Sequence, residues 1–377
     1  MKQTTIILIG TLLIISSCIR ENGEIKGTWI SSDFTSPSFL TFTETHWIDY
    51  TFGLDSFPYY LHHDSIFLQA HFKPELLRFG YKISKDTLWT TFPGDTQTQK
   101  RKYLKSKSPH YIDDINSHLG IKLKLPTGYS NLVGLRFGNS IYLPEQNVRG
   151  GQYRIFVNNE QIVLDSLLHE KLFKLPKHDE LPKHYLFGLY IDLKTEYGAV
   201  KLLKDELRKA GFYKVAFISN PSAEKYYESN VGLQKTLLPI FENDNVYINP
   251  NIRKIVDERS PPYHPSKYYF SKPDFNKPNI CKVEIIDNET LLNDQKLNKK
   301  ILYEMMKENN PHIAYLYVNG EVKYETYYSF ISLYDSLKLV VKNEKSLELY
   351  KREYNELTDV EKIENIYKLS TSELIER

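Results

Sequence analysis

The sequence predicts a mixed α+β protein in which a small all-β barrel or sandwich precedes two tandem units of β-β-α-β-α-β order. Short segments of strand character recur between Ile25 and Lys107 at intervals of ~8–12 residues, which is typical of a small barrel or sandwich. A hairpin, a strand and an amphipathic helix follow between Tyr153 and Pro221, and the same order returns between Lys282 and Val341. With 377 residues, of which 41% are hydrophobic, the chain is long enough for more than one folded domain.

The first copy begins with the segments RIFV and QIVL, which flank Asn158-Asn159. Adjacent Asn residues tolerate the positive φ of a tight turn, so this pattern predicts a hairpin. The remaining predicted elements are a short helix from Asp165, an apolar strand from Tyr185 to Leu193, an amphipathic helix that stops at Gly211, and a strand from Lys214 to Ser219.

The second copy aligns with the first in its turn, its strand end and its helix. The aligned segments are Asp287-Asn288-Glu289 with Asn158-Asn159-Glu160, Leu316 to Asn319 with Leu189 to Asp192, Tyr324 with Tyr197, and the stripe Tyr327, Phe330, Tyr334, Leu337 with Val200, Leu203, Leu207, Ala210. A stripe at i, i+3, i+7 and i+10 is what one helical face needs in order to pack on a sheet. The shared order predicts two copies of one small fold.

This order resembles the periplasmic domain of the ExbD/TolR family, whose members couple proton-driven motors to work at the outer membrane. The resemblance is carried by the turn Val157-Asn158-Asn159, the pair Tyr197-Gly198 and the segment Leu207 to Ile218. Upstream, Ile121 to Pro126 resembles the "LxLP" segment that follows the family's membrane helix. The tail from Tyr354 through Glu373 is similar to the C-terminal tails of some members.

In that family such units pair and contact the cell wall or a force-transducing partner. The resemblance therefore implies binding to ExbB/TonB-type proteins or to peptidoglycan. Loops at strand ends often carry recognition, so Asp192, Tyr197, Asn319 and Tyr324 are the candidate partner-binding residues. For Asp192 we favour a structural role, in which it caps the turn that follows it. The two units of this chain would mimic the family's dimer within one molecule.

One feature of the family is missing from the sequence. Members normally carry an N-terminal transmembrane helix with an Asp that takes part in proton passage. The apolar run here, Ile6 to Ile15, is shorter than the ~20 residues that span a bilayer, and it contains no Asp. We therefore expect no proton conduction by the family's route.

The N-terminus is instead interpreted as a lipoprotein signal peptide, residues 1–17. Lys2 precedes a short apolar core, and Ile15-Ser16-Ser17-Cys18 resembles the lipobox in which the Cys is acylated. An ordinary signal with a chance Cys is the alternative. Several acyl chains would anchor Cys18 to a lipid membrane without a spanning helix. Because no acidic run follows Cys18, we expect a lipid-anchored protein of the cell envelope that faces the periplasm.

The predicted boundaries divide the mature chain into four parts. These are the all-β domain 18–107, the first α+β unit with its lead-in 108–220, a connector rich in Pro and Tyr 221–280, and the second unit with C-terminal helices 281–377. The connector is expected to pack in extended form or to serve as a peptide that a partner binds. Helical spacing continues from Ser346 to the C-terminus, with a capping-box pattern at Thr358 and Glu361.

The all-β domain also resembles lipocalin-like domains of bacterial lipoproteins, through Gly27-Thr28-Trp29 and two later strands. A barrel of this size is either filled by its own side chains, which we favour, or holds one small ligand. The second function to consider is therefore a carrier of an apolar ligand, bound behind Trp29, Phe42 and Trp89.

The sequence offers little catalytic chemistry. It has no Gly-x-Ser-x-Gly, no phosphate-binding Gly loop, no His-Glu-x-x-His and no Cys-x-x-Cys. The net charge of +2 is too small to indicate a nucleic-acid partner. Cys281 is interpreted as a small buried hydrophobe, and the His residues of the all-β domain as surface or hydrogen-bonded groups. We expect a non-enzymatic binding protein with no cofactor and no metal site; an envelope hydrolase would need a cleft with a perturbed titratable pair.

The helix of the first copy carries a charged face opposite its apolar stripe. That face consists of Lys201, Lys204, Asp205, Arg208 and Lys209. It is interpreted as a solvated face, with docking of an acidic partner as the alternative.

Overall fold

A computed structural model describes most of the chain, and the structural statements below concern these residues. They are 25–32, 39–49, 55–69, 75–91, 100–108, 111–128, 139–145, 153–165, 167–172, 186–210, 212, 214–221, 232–237, 273–277, 280–287, 289–307, 313–364 and 373–376. The chain divides into two compact units, which we call the barrel unit and the α+β unit. The barrel unit contains most residues up to Asp114, and the α+β unit contains most residues from Ile115 onward.

The barrel unit is a closed antiparallel barrel of eight strands in chain order. The strands are β1 (Gly27–Ser31), β2 (Phe39–Phe42), β3 (His46–Asp49), β4 (Asp55–His62), β5 (Ser65–Leu68), β6 (Leu77–Ser84), β7 (Thr87–Thr91) and β8 (Arg101–Lys105). Pairing of β1 with β8, in which Trp29 lies opposite Lys105, closes the barrel. The sequence pattern does not distinguish a barrel from a sandwich, and the structure is a barrel.

The interior of the barrel holds a packed hydrophobic cluster. Its buried members are Ile25, Trp29, Leu40, Phe42, Trp47, Ile66, Leu68, Phe79, Leu88 and Tyr103. An eight-stranded barrel has an interior just wide enough for side chains to fill, which agrees with this cluster. The indole N–H of Trp29 donates to the carbonyl oxygen of Ile25 at 2.7 Å, so the buried ring keeps its hydrogen bond. Trp89 is half-buried and is not a member of the cluster.

The α+β unit contains two sheets that share the order of five strands. Before the first sheet come α1 (Tyr111–Leu119) and β9 (Thr127–Gly128). Repeat 1 (residues 139–237) then contains β10 (Asn139–Leu143), β11 (Tyr153–Val157), β12 (Glu160–Leu164), α2 (Leu168–Leu172), β13 (Leu186–Ile191), α3 (Tyr197–Lys209), β14 (Lys214–Pro221) and β15 (Gly232–Leu237). Its strands lie in the order β12-β11-β10-β13-β14-β15, and β9 adds to β14.

Repeat 2 (residues 280–376) forms the second sheet, in the order β18-β17-β16-β19-β20. It contains β16 (Ile280–Ile286), β17 (Glu289–Leu292), β18 (Gln295–Lys296), α4 (Lys299–Lys307), β19 (Ile313–Val318), α5 (Tyr324–Tyr350), a 3-10 turn (Tyr354–Glu356), α6 (Asp359–Glu364) and β20 (Glu373–Glu376). In both repeats the first strand is central, a hairpin extends the sheet on one side, and two parallel strands follow on the other.

The observed repeat is therefore β-β-β-α-β-α-β, one strand longer than the predicted unit. The predicted alignment of the two hairpins is wrong by one strand, because β16 is equivalent to β10 and not to β11. The true equivalents are Asn158 and Asn293, both with positive φ (57° and 47°). The side-chain oxygen of Asn158 accepts from the N–H of Ser140 at 3.1 Å, and that of Asn293 accepts from Lys282 at 2.8 Å. Each Asn thus continues the ladder of its central strand.

The helical stripes predicted from spacing are confirmed. The first stripe is at most 1% exposed and the second at most 5%, and both belong to one hydrophobic core that both repeats share. One other prediction is wrong: the C-terminal segment that was predicted to be helical ends in strand β20, which pairs with β19. Strand β15 lies inside the predicted connector, where it pairs with β14 in the extended form that is expected of this segment.

Several sequence predictions fall outside the described residues. These include the lipidation residue Cys18, the signal peptide and most of the connector. None of the helices in the described part of the chain is both long and apolar enough to cross a membrane.

Candidate functional site

Strands β13 and β19 end at equivalent polar residues, Asp192 and Asn319. The backbone N–H of Asp192 donates to Leu143 at 2.9 Å, and that of Asn319 donates to Ile285 at 3.0 Å. Each side chain then caps the turn that follows: Asp192 Oδ1 accepts from the N–H of Lys194 at 2.8 Å, and Asn319 accepts from that of Glu321 at 3.1 Å. The predicted capping role of Asp192 is confirmed.

The two loops after these residues pair with each other. The N–H of Tyr197 donates to the carbonyl of Val322 at 2.7 Å, and the N–H of Tyr324 donates to that of Thr195, also at 2.7 Å. Because each bond is the counterpart of the other, the two repeats meet around an approximate two-fold axis. Tyr197 and Tyr324 open α3 and α5, and the first N–H groups of a helix have no acceptor within their own helix. Each repeat therefore supplies a hydrogen-bond acceptor for the N–H group that opens the helix of the other repeat.

The two backbones approach each other closely at this axis, and Gly198 is the position with the least room for a side chain. The N–H of Gly198 donates to Gly320 at 2.8 Å, and a Cβ on Gly198 would lie 3.3 Å from the carbonyl oxygen of Gly320. Beside the glycines, Glu196 and Lys323 form a bridge in the backbone pairing and an ion pair at 3.3 Å. Both charged side chains are about half exposed.

A third segment, the strap of residues 121–128, crosses the contact. The N–H of Lys124 donates to Asp192 Oδ2 at 2.7 Å, and the N–H of Leu193 returns a bond to Lys124 at 2.8 Å. At the other end of the strap, Gly128 lies against α5, where an added Cβ would be 2.5 Å from the Oγ of Ser332. The segment that resembles "LxLP" therefore joins the Asp192 loop to repeat 2.

A buried ion pair lies at the centre of the contact. Lys204 on α3 donates to the Glu376 carboxylate on β20, and the Tyr197 hydroxyl donates to the same oxygen. The Tyr327 hydroxyl donates to the second carboxylate oxygen at 2.8 Å. The Lys204 ammonium also lies 5.0 Å from the ring centres of Tyr197 and Tyr327. The Lys204 side chain is 6% exposed and that of Glu376 is 24% exposed, so solvent screens the pair only weakly.

The protonation of this group follows from its surroundings. Burial lowers the pKa of Lys204, although the Glu376 charge opposes that shift. At Glu376 burial acts to raise the pKa, but Lys204 and the hydrogen bonds from Lys204, Tyr197 and Tyr327 outweigh it, so the pKa falls below its ordinary value. Burial, reinforced by the Glu376 charge, raises the pKa of Tyr197 and Tyr327 well above the usual value. The carboxylate is therefore a stable anion that accepts from one ammonium and two phenols.

The two-fold relation does not hold for these side chains. Glu376 lies opposite Leu316 in its sheet, and the residue that lies opposite the equivalent Leu189 is Phe217. Residues at the same position along α3 and α5 are also equivalent, so Lys204 corresponds to Ile331 and Tyr197 corresponds to Tyr324. The Tyr324 hydroxyl is buried with no hydrogen-bond partner among the described residues, and its ring lies 6.0 Å from that of Phe217. Among the described residues, the polar network is therefore found on one side of the axis and not on the other.

The structure places the four predicted partner-binding residues at this contact. Asp192, Tyr197 and Tyr324 are at most 2% exposed, so the expectation that their side chains are presented to a partner is wrong for these three. Their loops are buried against each other within the chain. Asn319 is exposed.

Sequence reasoning missed the residues that form the network. Lys204 and Arg208 are 5% and 8% exposed, so their interpretation as part of a solvated face is wrong. Lys204 lies in the contact between the repeats instead of facing water, whereas Lys201 on the same face is exposed. Glu376 falls in a segment that was predicted to be helical. One signal was available in the sequence. Lys204 directly follows the stripe residue Leu203, so it lies beside the buried face of α3, and a helix that is buried on two sides would bury it as well.

Replacing Asp192 with Ala is expected to destabilise the α+β unit by about 2–3 kcal/mol, because it removes two hydrogen bonds to a charged group and leaves the N–H of Lys124 without its acceptor. The equivalent change Asn319→Ala is the matched control. It removes one bond at an exposed position and should cost about 1 kcal/mol or less. Urea unfolding followed by circular dichroism measures both. Equal losses would show that the strap contributes nothing.

Tyr197→Phe and Tyr324→Phe provide a second matched pair. The first removes a hydrogen bond to the Glu376 carboxylate and should cost about 1.5–3 kcal/mol. The second removes a buried hydroxyl without a partner and should leave stability unchanged or raise it. Calorimetric melting of the two variants beside the parent checks this order. The reverse order would contradict the one-sided network.

Burial raises the pKa of the Cys281 thiol to about 11, and its Sγ lies 3.8 Å from the Sδ of Met305, which confirms its interpretation as a small buried hydrophobe. No three His, Cys, Asp or Glu side chains in the described ranges are grouped as metal ligands. The arrangement at the axis is suited to holding two protein surfaces together.

Comparison with known proteins adds no relative: no protein-family model, no curated protein and no solved structure gives a significant match to this chain.

Proposed function

We propose that this chain is a non-enzymatic, lipid-anchored protein of the cell envelope with two ExbD/TolR-like units, and that it acts as an accessory or scaffold of an energised transport system of the TonB/Tol type. One observation carries the proposal: two repeats that share a five-strand topology associate around an approximate two-fold axis through the loops after β13 and β19. That pairing is what the resemblance to a family of paired units implies.

The scaffold acts by binding. Of the four candidate partner-binding residues, Asn319 is exposed, while Asp192, Tyr197 and Tyr324 shape the loops behind it. The exposed rim of the axis, with Asn319, Glu196 and Lys323, is the surface that would contact ExbB/TonB-type proteins or peptidoglycan. Proton conduction is not part of the proposal, because the apolar run Ile6 to Ile15 is short and lacks an Asp.

The membrane partner is the lipid bilayer, through acylated Cys18. A Cys18→Ser variant should no longer incorporate labelled palmitate and should move from the membrane fraction to the soluble fraction. Continued incorporation of the label would contradict the anchor.

A photo-crosslinking amino acid at Asn319 in living cells tests the function. The control is the same amino acid at Lys82, an exposed position on β6 of the barrel. Capture of ExbB/TonB-type proteins or of peptidoglycan fragments at position 319, but not at position 82, supports the proposal. Identical capture at both positions, or none at position 319, contradicts it.

The closed eight-stranded barrel favours a second candidate, a carrier of one small apolar ligand. The packed cluster around Trp29 and Phe42 weighs against it. Titration of the protein with a fatty acid, followed by Trp fluorescence, tests this candidate. A saturable change that the Trp29→Phe variant abolishes would favour the carrier.

A further inference from the structure

The backbone of the contact between the repeats does not distinguish one repeat from the other. The bonds Tyr197 to Val322 and Tyr324 to Thr195 are equivalent and equally long at 2.7 Å. A pair made of two copies of repeat 1, or of two copies of repeat 2, could form the same backbone bonds, since an isologous contact repeats each bond across its axis. At the axis itself, the preference for the observed pairing therefore comes from side chains.

Two charge pairs supply that preference. At the axis Glu196 and Lys323 occupy equivalent positions and form an ion pair with each other. In the buried part Lys204 pairs with Glu376, and the equivalent positions carry Ile331 and Phe217. In each pair, one charge comes from repeat 1 and the other from repeat 2. Repeat 1 supplies the anion of the pair at the axis and the cation of the buried pair.

Pairing of like repeats would break both charge pairs. Two copies of repeat 1 would place Glu196 against Glu196 and would bury two Lys204 ammonium groups against Phe217. Two copies of repeat 2 would place Lys323 against Lys323 and would bury two Glu376 carboxylates against Ile331. A buried charge without its partner and like charges in contact are both strongly unfavourable.

We infer that Glu196, Lys204, Lys323 and Glu376 are the specificity-determining residues of this interaction surface: repeat 1 accepts repeat 2 and rejects a second copy of itself, and repeat 2 does likewise. The unpartnered hydroxyl of Tyr324 is explained by this asymmetry, because Phe217 occupies the place where Tyr197 meets Glu376. The inference concerns the contact alone and holds whatever the protein binds in the envelope.

Two full-length variants with exchanged charges test it. In variant A, repeat 2 receives the residues of repeat 1, by Lys323→Glu, Ile331→Lys and Glu376→Phe. In variant B, repeat 1 receives those of repeat 2, by Glu196→Lys, Lys204→Ile and Phe217→Glu. Each variant alone should melt lower than the parent by on the order of 10 °C. When A and B are mixed, opposite charges face each other again in both contacts, so a 1:1 complex should form, measured by analytical ultracentrifugation. Variants that keep the parent's melting temperature would overturn the inference.

A second experiment decides the matter even if A and B fail to fold. Glu196→Lys and Lys323→Glu change half-exposed side chains and therefore leave the core intact. Each single variant sets like charges against each other and should lower the melting temperature, while the double variant should recover most of the loss. Full recovery is not expected, because Glu196→Lys also removes the acceptor of the Tyr153 hydroxyl, which lies 3.0 Å from Glu196 Oε2. Additive losses in the double variant would overturn the inference, whatever the outcome for A and B.

Discussion

Replacing Lys204 with Met is expected to lower the free energy of unfolding of the α+β unit by about 3–5 kcal/mol, because it leaves the Glu376 carboxylate at the contact without its cation. Met fills a volume similar to that of the Lys side chain, so the loss reports the missing charge and not a cavity. Urea unfolding followed by circular dichroism measures the change. The control is Ile331→Met at the equivalent buried position, which should cost less than about 1.5 kcal/mol.

The double variant Lys204→Met, Glu376→Leu separates the pair from general damage to the core. Removing both charges together should restore most of the stability, since an apolar pair of similar size is often as stable as a buried ion pair. A double variant that is as unstable as Lys204→Met would contradict the account. It would mean that the Lys204 stem, and not its charge, holds the repeats together.

Replacing Trp29 with Ala is expected to destabilise the barrel unit by about 3–5 kcal/mol, since it leaves a large cavity in the interior. Trp29 is fully buried, and its indole N–H bonds to the carbonyl of Ile25. Trp89→Ala on the same barrel is the control. Trp89 is half-buried and outside the hydrophobic cluster, so its removal should cost clearly less.

Thermal unfolding of the two Trp variants, followed by near-ultraviolet circular dichroism, checks this expectation. A Trp29→Ala protein as stable as the parent would contradict a filled barrel. It would instead favour an interior with free space, as the carrier function requires.

Much of the barrel could be predicted from the sequence because short segments of strand character recur at regular intervals. Phe39 to Phe42, Ser65 to Leu68 and Thr87 to Thr91 are three such segments, and they coincide with β2, β5 and β7. Strand β4 contains Pro58, which argues against a strand. Strand β8 has the sequence RKYLK, in which only Tyr103 is buried, so it gave no apolar signal.

The first strand of repeat 1 was missed for the opposite reason. Strand β10, Asn139–Leu143, is central in its sheet and all five of its residues are buried, so it shows no alternation. Without β10 the hairpin β11–β12 was aligned with β16–β17, and the equivalence of Asn158 and Asn293 was hidden. The alignment of the helical stripes was not affected by this error, because the spacing of a stripe depends only on its helix.

The network at the contact could not be predicted from local pattern. Lys204 lies among other charged residues of α3, and such a face is usually solvated. Glu376 lies in a strand of four residues, ELIE, whose composition does not exclude a helix. The partners are 172 residues apart in the chain, and their pairing exists only once the two repeats have met.

Amide hydrogen exchange at Tyr197 and Tyr324 tests whether the two repeats pair around the two-fold axis. Both N–H groups open a helix, where an isolated repeat offers them no intrahelical acceptor. If the repeats pair as described, both amides are bonded across the axis and should exchange slowly and to a similar extent, close to the amides of β13. Fast exchange at either residue, with β13 still protected, would contradict the pairing.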